Sequence, residues 1–92
     1  MVIRILIAED DPDINRLLGR ILTRAGYEVT AAFSGSEARL LKPETFDLVL
    51  LDLMLPGVTG EKLIEETRKV STVPIIVISA KGQEDKLNVL KS

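Results

Sequence analysis

Three runs of almost unbroken apolar residues constrain most strongly what this chain can fold into. Residues 2–8 read Val-Ile-Arg-Ile-Leu-Ile-Ala, residues 48–51 Leu-Val-Leu-Leu, and residues 73–78 Val-Pro-Ile-Ile-Val-Ile. Runs of this length with so little polar alternation are the pattern of strands buried on both faces of a parallel sheet. None approaches the roughly 20 residues needed to span a bilayer. Two of the runs end in acids: Glu9-Asp10-Asp11 follows the first, and Asp52 closes the second. If those strands are neighbours, about 5 Å apart, their ends gather three carboxylates.

The stretches between the runs are amphipathic. Asp11 is a helix N-cap candidate with Pro12 at the first helical position, where a missing N–H costs nothing. Ile14, Leu17, Leu18, Ile21, Leu22 and Ala25 recur at helical spacing, and Arg16, Arg20 and Arg24 share another face. Gly26 suits the helix stop. Residues 27–32 alternate as an edge-like strand does. Ser34 and Ser36 compete to cap a short helix that Pro43 ends, Pro56-Gly57 marks a turn, and Gly60 leads into a third helix. A last stretch, about 83–91, carries Leu87 and Leu90 among charges and predicts a short, weak helix. The order βαβαβαβα predicts one α/β domain over residues 1–92, built on a parallel sheet with right-handed crossovers.

Composition narrows the chemistry. With 92 residues, 46% of them hydrophobic, the chain has enough apolar material for one packed core. Twelve basic against fourteen acidic residues leave a net charge of −2, without the basic stripe of a nucleic-acid binder. There is no cysteine and no histidine, so thiolate sites, disulfides and the usual general base are excluded. Any metal must sit on oxygen ligands, which points to Mg²⁺, Mn²⁺ or Ca²⁺. Arg4 inside the first apolar run and the lack of a small-residue cleavage site argue against a signal peptide, so a cytoplasmic location is expected.

Each acid has an ordinary reading as well as a chemical one. Asp11 can be a cap, with Glu9 and Asp10 as solvated loop acids. Asp52 can open a turn, but the following Leu-Met-Leu-Pro-Gly is too apolar to leave a carboxylate there without a partner. A cation between Asp52, Glu9 and Asp10 answers that need. Ser79, closing the third run, is either a loop or cap hydroxyl or a donor to an oxyanion held at Asp52.

Three motifs in order, Ile-Leu-Ile-Ala-Glu-Asp-Asp-Pro, Asp-Leu-Val-Leu-Leu-Asp-Leu-Met-Leu-Pro-Gly and Val-Pro-Ile-Ile-Val-Ile-Ser-Ala-Lys, resemble the receiver domain of bacterial response regulators. The stretch from Ser79 to Asp85 is similar to the OmpR/PhoB-type transcription regulators. The resemblance implies a flavodoxin-like (CheY-like) doubly wound sheet of strand order 2-1-3-4. It makes Asp52 the phosphoacceptor for a sensor histidine kinase. Asp10 and Asp52 would ligate Mg²⁺ directly, Glu9 mainly through water, and Met54 through its backbone carbonyl. Ser79 would bond a phosphoryl oxygen and small Ala80 would leave the group accessible. A kinase would read the surface near the first helix, at residues such as Asn15, Leu18 and Leu22.

The resemblance also has a gap. The family pattern continues into a fifth strand bearing a lysine and then a fifth helix, before which this chain stops at Ser92; Lys81 does not match that lysine. A charge-assisted contact worth about 1.5–3 kcal/mol would be missing. The strand at 73–78 would be left as an exposed edge, predicting self-association by edge pairing or strand exchange, or weak stability in a monomer. The chain then reads as part of a longer regulator. Two function classes compete: a phosphoacceptor that catalyses only its own phosphorylation and dephosphorylation, and a phosphorylation-incompetent interaction module that keeps the acidic pocket. A Mg²⁺-dependent phosphohydrolase is disfavoured, because the second acid expected two residues after its nucleophile is Met54 here.

Overall fold

The structure, a computed structural model, describes residues 1–78 and the backbone of 87–90. Its elements are β1 (Arg4–Ala8), α1 (Pro12–Arg24), β2 (Glu28–Ala32), α2 (Gly35–Leu41), a 3-10 turn (Pro43–Thr45), β3 (Leu48–Asp52), α3 (Gly60–Arg68), β4 (Ile75–Ile78) and β5 (Leu87–Leu90). The sheet order is β2-β1-β3-β4-β5. The first four strands are all parallel, which is the expected 2-1-3-4 arrangement.

Local chemistry sets the helix ends. The Asp11 carboxylate accepts the Asp13 and Ile14 N–H groups at 2.9 and 3.3 Å, holding the first turn of α1. Gly26 takes φ 100° just past the last turn, a conformation that glycine adopts without penalty. Of the two serines before α2, Ser34 is the cap, and Glu37 reaches back to the Phe33 N–H in a capping box. Pro43 ends α2 as expected and opens the 3-10 turn.

The near-continuous apolar runs are explained by packing on both sides of the sheet. Leu6, Ala8, Val49, Leu51 and Ile75 face one way, onto α2, α3 and Phe46. Ile5, Ile7 and Leu50 face the other way, beneath Leu18 and Leu22 of α1. Successive strand residues alternate between the two faces, so neither set can be polar.

The C-terminal part departs from expectation. Residues 87–90 are a strand, not part of a helix, and pair antiparallel with β4 from Ile75↔Leu90 to Ile78↔Leu87. The helical signal there was only Leu87 and Leu90 at i, i+3, whereas β4 offers a full row of backbone donors and acceptors along one edge. Satisfying that row outweighs a weak local preference. The edge of β4 is therefore paired along its whole length, which removes the stated reason for self-association through 73–78. Ser79, Ala80, Lys81 and the remainder of the expected last helix lie outside the described residues.

Candidate functional site

Register brings the acids together. Ala8 pairs with Leu51, so the next residues, Glu9 and Asp52, leave adjacent strands at the same level. Both are buried, at 0% and 1% exposure, while Asp10 beside them is partly exposed. One carboxylate oxygen from each of Glu9, Asp10 and Asp52 lies within 4.8 Å of the other two. The structure thus confirms the juxtaposition that the strand ends suggested.

The oxygens are unevenly satisfied. Glu9 Oε2 accepts the Asp11 N–H at 3.0 Å, and Asp52 Oδ1 accepts the Met54 N–H at 3.0 Å. Among the described residues, Glu9 Oε1 and Asp52 Oδ2 are buried with no hydrogen-bond donor. Buried oxygens of this kind call for a cation or a proton. Burial first, and then the nearby Asp52 charge, push the Glu9 carboxyl up to about 7, against the opposing Asp11 N–H. A proton on Glu9 would bridge to Asp10 or Asp52, which raises it further. An all-oxygen, three-carboxylate set with two donor-less buried oxygens fits a hard divalent cation such as Mg²⁺.

The loop after β3 is gripped at both ends by glycines. The Gly60 N–H donates to the Leu53 carbonyl at 3.1 Å, and a Cβ on Gly60 would fall 2.6 Å from the Leu53 Cα. The Gly35 N–H donates to Pro56 O at 2.9 Å, and a Cβ there would collide with Val58 O. Between these anchors Leu55 is buried and the Met54 side chain is exposed. Met54 is tied to the acid cluster through its N–H bond to Asp52 Oδ1.

The expectation that Asn15, Leu18 and Leu22 present a surface is not met. Asn15 is not surface but 2% exposed, and its side-chain amide donates to Glu9 O at 2.9 Å, Ala32 O at 3.0 Å and Ile7 O at 3.4 Å. Leu18 and Leu22 also turn inward, packing on Ile5, Ile7 and Leu50. Residues 15, 18 and 22 share one helical stripe, and that spacing was the available signal that Asn15 points into the core. The outward apolar residues of α1 are Leu17 and Ile21, 53% and 54% exposed, among the exposed Arg16, Arg20 and Arg24.

An open parallel sheet with an acid cluster at the carboxyl ends of its central strands defines a class of α/β ligand-binding domains. Comparison makes the class specific. The profile of the response regulator receiver domain matches residues 5–92. The transcriptional regulatory protein YrkP of Bacillus subtilis is 48% identical over 89% of this chain and 36% of its own length. A CpxR homolog of Haemophilus influenzae is 37% identical over 88% of this chain and 36% of its length. Among solved structures, a CheY-like receiver domain from Methanospirillum hungatei aligns with TM-score 0.80 at 31% identity, covering 91% of this chain and 69% of its own. TrrA of Thermotoga maritima, solved in complex with Mg²⁺-BeF, aligns with TM-score 0.75 at 38% identity, covering 88% of this chain and 72% of its own. The chain belongs to the response regulator receiver domain family of two-component signalling proteins. It spans about a third of the length of these curated relatives, which are transcriptional regulators. Among the described residues no helix is long and apolar enough to cross a membrane.

Proposed function

We propose that this chain is the phosphoacceptor module of a cytoplasmic regulator, taking a phosphoryl group from a sensor histidine kinase onto Asp52. The observation that carries this reading is Asp52 itself: a buried carboxylate clustered with two further acids, whose Oδ2 has no donor among the described residues. Asp10, Asp52 and Glu9, with the Met54 carbonyl, would hold Mg²⁺, which supplies neutralisation of the negative charge gathered during transfer. Asp52 Oδ2 bonds to phosphorus as the P–N bond of the phosphohistidine breaks and the imidazole leaves. The Met54 N–H keeps the carboxylate oriented throughout. Ser79 would donate to a phosphoryl oxygen, a role that rests on the family resemblance. The kinase would dock on α1, where Leu17 and Ile21 form an outward apolar ridge flanked by three arginines. The longer transcriptional relatives support an output at the level of transcription; an OmpR/PhoB type rests on the resemblance of residues 79–85 alone.

Incubation with acetyl phosphate and Mg²⁺, followed by intact-mass measurement, tests the proposal. One added phosphoryl mass is expected, lost in Asp52→Asn and on omission of Mg²⁺. Mg²⁺ binding without any mass gain would instead favour the interaction module with a residual metal pocket.

A further inference from the structure

Asn15 stands on α1, yet every hydrogen bond of its side-chain amide goes to the ends of β1 and β2. The last rung between these strands is the Glu9 N–H donating to Ala32 O at 3.0 Å. Beyond it the chain turns away from the sheet, and among the described residues no strand N–H donates to the buried Glu9 carbonyl. Asn15 supplies one, with its two N–H groups reaching Glu9 O and Ala32 O and a longer contact to Ile7 O. Fixing the Glu9 carbonyl fixes the plane of the peptide that joins Glu9 to Asp10. It therefore sets where both carboxylates point.

We infer that Asn15 is a positioning residue: its buried amide holds the Glu9–Asp10 turn in the orientation that gathers the carboxylates opposite Asp52. The inference builds on the Mg²⁺ reading of the site but concerns the turn itself. Three carboxylates converging in a buried place repel one another, and a turn free to rotate would separate them. A neutral amide that grips the carbonyl side of the turn resists that rotation without adding charge. Substituting a group that orients metal-binding side chains from behind typically weakens binding by about 10–100-fold.

The experiment compares Asn15→Leu, a replacement of similar size without donors, with wild type and with Thr67→Val. Thr67 is a buried polar residue of α3, outside the acid site. Amide hydrogen exchange is measured residue by residue without metal, and Mg²⁺ affinity by calorimetry. In Asn15→Leu the Glu9 and Asp11 amides are expected to exchange more than about tenfold faster while those of 49–51 hold their wild-type rates. Mg²⁺ binding weakens about tenfold or more. Should Asn15→Leu fail to fold, Asn15→Ala leaves room for water to serve the same carbonyls and gives the same pattern at smaller amplitude. Unchanged exchange at Glu9 and Asp11 overturns the inference, as does a uniform rise across the sheet like that in Thr67→Val, or an unchanged Mg²⁺ affinity. Wild-type protein that binds no Mg²⁺ at millimolar concentration sinks the functional reading instead, and the exchange pattern still decides the role of Asn15.

Discussion

The two faces of the sheet hold the same site by different means. On the α2/α3 face the contacts are close-packed: Leu6, Leu51, Leu63 and Ile75 are almost completely buried, and glycines let backbone touch backbone at Gly35 and Gly60. On the α1 face the described packing is thinner. Ile5, Ile7 and Leu50 are buried there, but Leu48, Ile76 and Ile78 remain half-buried, and a polar side chain, Asn15, makes the connection to the site. Dense apolar packing fixes the Asp52 strand and its following loop by exclusion of alternatives. A hydrogen-bonded amide fixes the Glu9–Asp10 turn by direction. A single centre is thus assembled from one half held by shape and one half held by hydrogen bonds.

The contrast can be broken first where it is strongest. Leu6→Ala on the packed face is expected to cost about 3–5 kcal/mol, read as a drop in the urea midpoint at unchanged slope. A cost below about 2 kcal/mol would mean that face collapses around the gap and is not tightly packed. Gly35→Ala comes next, because its new methyl meets the Val58 carbonyl oxygen and one of the two must move. Overpacking of that kind costs about 1–3 kcal/mol, and the displaced 53–59 loop should also weaken Mg²⁺ binding in calorimetry. Ile76→Ala, on the thinner face, should cost only about 1–2 kcal/mol, since its side chain is half in water already. Equality with Leu6→Ala would erase the distinction between the faces.

The two faces also meet in a pH-dependent group. Glu9 titrates at about 7 in the folded protein, above its ordinary value of 4.5. Folding therefore favours the protonated acid, and its contribution is full below pH 4.5 and fades as pH rises through 7. Metal-free protein should lose melting temperature across that window. Mg²⁺ bound at the proposed site would compete with the proton, so the gain in melting temperature from added Mg²⁺ should grow from pH 5 to pH 8. Glu9→Gln should flatten the metal-free profile; a wild-type profile already flat between pH 5 and 8 would contradict the raised value.

What was legible in the sequence follows the same division. The apolar runs announce strands buried on two faces and the acids at their ends announce carboxylate chemistry, both local signals; that the ends meet depends on the long-range pairing of Ala8 with Leu51, which the sequence allows only as a condition. Asp11, Ser34 and Gly26 show their roles through capping preferences that need only a few neighbours. Asn15 does not. Its acceptors sit on Ile7, Glu9 and Ala32, and a single amide in a helix carries no mark of a carbonyl 17 residues away. The strand at Leu87–Leu90 was hidden for a related reason: its partner is the β4 edge, and pairing there overrides a two-leucine helical hint.

Asp52 leaves the ribosome with two interchangeable oxygens, and the fold abolishes that symmetry. The Met54 N–H occupies Oδ1, while Oδ2 is buried with no donor among the described residues. The backbone has in effect labelled the two atoms, one moored and one left without such a bond. Any group delivered to this carboxylate then meets a fixed handedness, arriving on one oxygen and leaving the other moored. A carboxylate free to flip would present either atom, and the chemistry on it would lose its geometric register with everything built around it.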